Sequence, residues 1–164
     1  GFFLVLVYEY SLFFFEVWIL SKSLISLIII FCFFSSASHA KLLANKDKVD
    51  QANEYFMSQL FSGEVESAFS LMTAYIGDNN REQFVEYGKK AAPHMKKIAL
   101  QEGNPLSFAL LKKQSVGEHL YKVSYLLKYS EAAVIWELNY YQADLGWKLV
   151  DIQFNTDINA LFDN

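Results

Sequence analysis

Cysteine occurs once in the 164 residues, at Cys32, and is absent from everything after it. A domain made from the later residues can form no disulfide, has no thiol nucleophile and offers no cysteine to zinc, so an apolar core must stabilise it. Histidine is scarce too: of three, only His94 and His119 follow Ala40, and they form neither an HxxxH nor an HExxH spacing. A zinc centre needs several converging ligands, usually including a close pair, so no metal is expected. The chain has no glycine-rich phosphate loop, no GxSxG nucleophile, no internal repeat and no low-complexity tract, and nothing in it implies a cofactor. It also lacks a polybasic run: 14 Lys plus Arg against 18 Asp plus Glu give a formal net charge of −4, and no footprint for nucleic acid.

Charge is thinnest in residues 1–40, where Lys22, Glu9 and Glu16 stand alone. Lys22 precedes the apolar run Leu24 to Phe34, which leads into Ser35-Ser36-Ala37-Ser38-His39-Ala40. A basic start, a short apolar stretch and small residues at Ser38 and Ala40 make a signal peptide cleaved after Ala40, which sends the rest to the periplasm or outside the cell. The run is shorter than the roughly 20 apolar residues of a spanning helix. An uncleaved membrane anchor over residues 20–38 is the alternative, and the membrane would then be met only through that segment. Bulky Phe31 before Cys32 argues against a lipid-modified cysteine. Residues 1–20 carry acids where a signal would be basic, and read as an open reading frame extended upstream of a start near Leu20; a further membrane segment is the competing reading. Residues 41–164 are expected to form one domain.

Val49, Ala52, Phe56 and Leu60 recur at helical spacing after Asp47, a plausible N-cap, and before Gly63. Val65, Ala68, Phe69, Met72 and Ile76 repeat the pattern behind Glu64 and Glu66. A third helix is expected from Asn80, which with Gln83 resembles a capping box, through Phe84, Gly88, Ala91, Met95 and Ile98. Pro93 inside it predicts a kink or two pieces. Lys89, Lys90, Lys96 and Lys97 lie on this helix with Glu86 at pairing distance, the composition of a solvated face, with attraction to an anionic lipid surface or an acidic partner as the alternative.

After Gly103-Asn104-Pro105 the period changes to two. Leu106 to Leu111, Glu118 to Tyr129, Ala132 to Tyr141 and Trp147 to Phe154 read as four strands with short connections, hence an antiparallel meander. Helices first and strands afterwards predict an α+β fold. On the third strand Val134, Trp136, Leu138 and Tyr140 share the better core face, opposite Ile135, Glu137, Asn139 and Tyr141. On the last, Val150, Ile152 and Phe154 are expected to oppose Leu149, Asp151 and Gln153.

The stretch Val134-Ile135-Trp136-Glu137-Leu138-Asn139-Tyr140-Tyr141, then Gly146-Trp147-Lys148-Leu149-Val150-Asp151-Ile152-Gln153-Phe154, is similar to the paired final strands of small exported nuclear-transport-factor-2-like (cystatin-like) proteins. Phe61-Ser62-Gly63-Glu64 with Ala68-Phe69 looks like their helical opening, and the resemblance covers most of residues 47–162. It implies N-terminal amphipathic helices laid on a curved four-stranded antiparallel sheet to form a cone. It does not imply one chemistry, because members include isomerases, dehydratases, transport factors and secretion-system parts.

Proton-shifting members use acids and tyrosines turned into the cone. Here the expected inward face holds Tyr121, Tyr125, Trp136 and Tyr140, with His119 at the rim, and no carboxylate; Glu137 and Asp151 fall outside unless a bulge redirects one. No catalytic residue is assigned, and the chain reads as non-enzymatic. Phe108, Tyr121, Tyr125, Trp136 and Tyr140 are the pocket candidates for a small apolar ligand, while the favoured reading of aromatics at alternate strand positions is plain core, with a dimer interface as a further alternative. The alternatives are a homodimeric module of a cell-envelope complex, using an outer apolar patch of Leu120, Leu126, Ile135 and Tyr141, and an isomerase or dehydratase type of enzyme.

Overall fold

Three helices precede four strands in the computed structural model, which describes residues 41–143 and 145–162. The signal-peptide or anchor segment and Asp144 lie outside the described residues. Helix α1 (Lys46–Phe61) is capped by Asn45 rather than Asp47: the Asn45 side chain accepts the Lys48 N–H at 3.0 Å. Its buried stripe is Val49, Asn53, Phe56, Met57 and Leu60, so a polar side chain stands where the sequence pattern suggested Ala52. Helix α2 (Val65–Met72) continues into a 3-10 turn, Thr73–Tyr75, and Ile76 beyond it bridges to Leu149.

Helix α3 (Asp78–Glu102) starts after Gly77, two residues before the expected Asn80, and runs unbroken past Pro93. Ala91 and Met95 are buried while Pro93 is exposed. The carbonyl of Lys89, deprived of its i+4 N–H, therefore lies on the solvent side, and the helix keeps its packing without dividing.

The sheet is a meander, β1 (Ser107–Val116), β2 (Leu120–Lys128), β3 (Ala133–Ala143) and β4 (Gly146–Asn155), antiparallel throughout in the order β1-β2-β3-β4. Strand β1 runs through the expected connection to Val116, and His119 sits exposed in the turn that follows. Two bulges break the alternation. In β1, Leu110 pairs with Tyr125 and Lys112 with Ser124, leaving Leu111 over; Lys113 and Ser115 thereby join the helix-facing side. In β4, Asn139 pairs with Asp151 and Tyr140 with Leu149, so Val150 is the extra residue. This corrects the expected face of the last strand: Trp147, Leu149 and Ile152 are buried, whereas Val150 is 49% exposed.

Phe69 on α2 joins the layers. Its ring meets Phe56 of α1 at 5.5 Å, Phe84 and Tyr87 of α3 at 5.2 and 5.7 Å, and Trp136 of β3 at 6.1 Å. Gly88 lets α2 and α3 approach, since a Cβ there would lie 2.6 Å from the Phe69 Cβ. A strap completes the domain: Leu43 exchanges both backbone hydrogen bonds with Trp147, and the Lys41 N–H reaches the Ala74 carbonyl at 2.7 Å. Among the described residues no helix is long and apolar enough to cross a membrane.

Candidate ligand-binding site

The β2–β3 register places Tyr121 opposite Tyr140 and Tyr125 opposite Trp136, and Phe108 pairs with Leu127 beside them. All five pocket candidates thus share the helix-facing side. The space between them is occupied: Trp136 is fully buried against Phe56 at 5.6 Å, Phe69, and Phe154 at 5.2 Å. Tyr121, Tyr125 and Tyr140 are buried as well, while Phe108 is half-buried, its ring between Phe61 at 6.3 Å and Tyr125 at 6.5 Å.

This interior has a polar seam that strand alternation alone does not reveal. Asp50 on α1 accepts from the Tyr121 hydroxyl at 3.0 Å and pairs with Lys113 at 2.6 Å. One helical turn on, the fully buried Asn53 accepts from the Tyr140 hydroxyl. The expectation of no inward carboxylate is therefore corrected: the acid comes from the helix, not from a strand. Glu137 stays outside, held by Lys122 at 3.4 Å and Ser124 at 3.2 Å. Burial, reinforced by Asp50, pushes the Tyr121 and Tyr125 phenols above their ordinary range, and burial does the same at Tyr140. Lys46 closes this end, its ammonium 5.0 Å from the Tyr121 ring and 5.5 Å from the Trp147 ring, with a 2.8 Å hydrogen bond to Ser115. Asp50 is held by two partners in a packed seam, an arrangement that fixes α1 on the sheet.

Open space lies at the other end of the same face, where β2 runs from Tyr125 through Leu127 and leads into Tyr129 just beyond its end. A groove of about 1070 Å³ is bounded there by the α1–α2 connection, the first turn of α2, the Ala92–Ala99 part of α3 and Asn104-Pro105. Its apolar walls include the buried Leu60, Val65, Met95 and Leu127, and its polar border includes Glu64, Lys96 and Asn104. Phe61, which packs on Phe108, lines it too, so one of the five candidates adjoins the groove. Burial raises the phenol of Tyr129, also in its wall. The signal for this site was in the sequence: Leu127 and Tyr129 continue the stripe that begins at Tyr121.

The outer face does not carry one continuous apolar patch. Leu120 pairs with Tyr141 and Leu126 with Ile135, but the polar pairs Lys122–Asn139 and Ser124–Glu137 lie between them. Ile135 is buried, at the end of β3 contacted by the 3-10 turn Ile158–Leu161. Val116, Leu120, Tyr141 and Val150 remain exposed at the opposite end. Neither His94, whose ring lies 5.4 Å from Phe154, nor any other described residue belongs to a cluster of three potential metal ligands.

No family model matches the chain, and no curated protein matches it. Among solved structures it is similar to a Campylobacter jejuni protein provisionally named an NTF2-like transpeptidase, with 15% sequence identity, coverage of 61% of this chain and 94% of that one, and a TM-score of 0.45.

Proposed function

We propose that this chain is a non-enzymatic binding domain of nuclear-transport-factor-2-like architecture, acting in the periplasm or outside the cell, and that it holds a small amphipathic molecule in the groove beside Leu127 and Tyr129. The groove carries the reading. Its volume of about 1070 Å³ is at the upper end for a small-molecule site, and its lining joins apolar walls to a substantial polar border of Ser62, Glu64, Glu66, Ser67, Lys96 and Asn104, which suits a molecule with both apolar and polar parts. Export is favoured by the spacing of Ser38 and Ala40 and by the strap, which ties Lys41 and Leu43 into the domain directly after the expected cleavage point.

The test uses the dye anilinonaphthalene sulfonate, with palmitate as competitor. Wild type is expected to enhance dye fluorescence and to lose the enhancement as palmitate is added. Ala99→Trp, which fills the groove, is expected to abolish the enhancement while retaining the far-ultraviolet circular dichroism of the wild type. Undiminished dye binding by that folded variant refutes the site. Sequencing the N-terminus of protein recovered from expressing cells tests export, with Lys41 as the expected first residue.

A second reading rests on Val116, Leu120, Tyr141 and Val150, exposed together on the outer face. A homodimer formed there would dissociate in Tyr141→Lys, as measured by sedimentation equilibrium; a wild-type monomer at every concentration refutes it.

A further inference from the structure

Of the polar side chains that border the groove, Ser62, Glu64, Glu66, Ser67, Lys96 and Asn104 are exposed, and Tyr129 alone is buried, at 6% exposure. Backbone hydrogen bonds fix its place: the Leu106 N–H donates to the Lys128 carbonyl and the Tyr129 N–H to the Ala132 carbonyl, both at 2.8 Å. The phenol differs from those in the polar seam. Tyr121 donates to Asp50 and Tyr140 to Asn53, whereas the Tyr129 hydroxyl has no hydrogen-bond partner among the described residues, and burial alone raises its pKa. Nor is its oxygen wholly enclosed by protein. The open space that Tyr129 borders is the groove, so the hydroxyl is reached from there.

That placement selects what can enter. An apolar molecule laid over Tyr129 takes water from the hydroxyl, and a donor that loses water without gaining an acceptor opposes binding. The exposed groups at the border keep their water and make no such demand. A phenylalanine at position 129 would serve a pure hydrocarbon better. Resting on the reading of this groove as a ligand site, we propose that Tyr129 is its specificity-determining residue, and that the ligand is an apolar molecule bearing a carbonyl oxygen, of a ketone, ester, amide or carboxyl group, which accepts a hydrogen bond from the Tyr129 phenol. Because its pKa is raised and not lowered, the phenol is protonated at neutral pH and serves as the donor. A site with a buried donor discriminates by it, since the analogue without the acceptor leaves that donor unpaired.

The experiment compares benzophenone with diphenylmethane, which differ only in a carbonyl where the other has a methylene, as competitors of bound anilinonaphthalene sulfonate. Tyr129→Phe keeps the ring and removes one oxygen, and its far-ultraviolet circular dichroism is compared with that of the wild type. In this variant the affinity for benzophenone is expected to fall by about threefold to tenfold, the effect of one net hydrogen bond, while that for diphenylmethane stays the same or rises. A change in groove shape would weaken both ligands alike, so an equal fall in both overturns the proposal, as does an unchanged affinity for benzophenone. A second measurement needs no variant: the carbonyl stretch of benzophenone bound to wild type is expected at lower wavenumber than in hexane, and a stretch equal to that in hexane overturns the assignment. Ala99→Trp separates the two readings. If both ligands displace the dye from wild type and neither binds Ala99→Trp, the groove stands whatever Tyr129→Phe shows; dye binding that survives in folded Ala99→Trp refutes the groove and the role of Tyr129 with it.

Discussion

The Tyr121 hydroxyl donates to Asp50 Oδ1 at 3.0 Å while Lys113 holds Asp50 Oδ2 at 2.6 Å, so one carboxylate of α1 ties the helix to two neighbouring strands. The two bonds differ in environment. Tyr121 is buried, whereas the Lys113 side chain is 41% exposed. A hydrogen bond to a charged acceptor in a partly buried site contributes about 1.5–3 kcal/mol, and an exposed ion pair about 0–1 kcal/mol. Tyr121→Phe is therefore expected to destabilise by about 1.5 kcal/mol and Lys113→Met by less than about half of that. Urea denaturation of the two variants decides it; a larger loss in Lys113→Met would show the ion pair to be the stronger tie.

The buried phenols give the stability a definite pH dependence. Tyr121, Tyr125 and Tyr140 all have pKa values raised above the ordinary 10.0, with burial the first cause in each. The folded chain then keeps these protons to higher pH than the unfolded chain does. Their stabilising effect is complete below pH 10.0 and is lost as the pH rises beyond it. Tyrosinate absorbance and circular dichroism followed together should show the buried phenols ionising only as the fold opens. Ionisation of every tyrosine with the circular dichroism unchanged would contradict the packing of the interior.

Period and punctuation were enough to read three helices, four strands and an α+β order. They failed where one residue changes the phase. Leu111 and Val150 are ordinary members of an alternating sequence, and nothing in their identity marks a bulge; only the pairing of Leu110 with Tyr125 and of Tyr140 with Leu149 reveals that each is the extra residue. The first bulge carries Lys113 to the side where Asp50 waits. Asp50 itself was missed because alternation along strands says nothing about which helix lies over them. Asn53 did leave a signal, four residues after Val49 and three before Phe56, but its neighbour Ala52 fits a helical stripe equally well. The five aromatic candidates share the helix-facing side of the sheet, yet volume cannot be read from a one-dimensional pattern. Phe56 and Phe69 fill the interior, and the groove opens instead at Leu127 and Tyr129.

Gly88 separates helix propensity from packing. Replacing glycine by alanine inside a helix ordinarily stabilises by about 0.5–1 kcal/mol. At Gly88 the new Cβ would stand 2.6 Å from the Cβ and 2.7 Å from the Cγ of Phe69, which is itself wedged among four rings. Overpacking of that kind costs about 1–3 kcal/mol, so the expected net effect of Gly88→Ala is a destabilisation of about 1 kcal/mol or more. A raised melting temperature would show that α2 and α3 separate readily, and that the contact between Gly88 and Phe69 places no demand on the sequence.

The strap has its own glycine test. A Cβ at Gly146 would lie 2.6 Å from the backbone oxygen of Leu43, an atom held by the Trp147 N–H at 2.7 Å. Backbone cannot swing aside as a side chain does, so Gly146→Ala must push Leu43 off the edge of β4 or distort the turn. The β3–β4 ladder is extensive and Leu43 is joined to it through one bridge, so the strap is the weaker partner and should yield first. The expected outcome is rapid hydrogen exchange at the Leu43 amide with protection retained at Leu138 and Ile152 in the sheet centre. Release also uncovers the buried Leu43 side chain and the Trp147 indole beneath Lys46, which should shift tryptophan fluorescence towards that of a wetter ring. If the Leu43 amide keeps its protection in Gly146→Ala, the strap is bound more firmly than a single bridge allows, and other contacts of residues 41–44 must hold it.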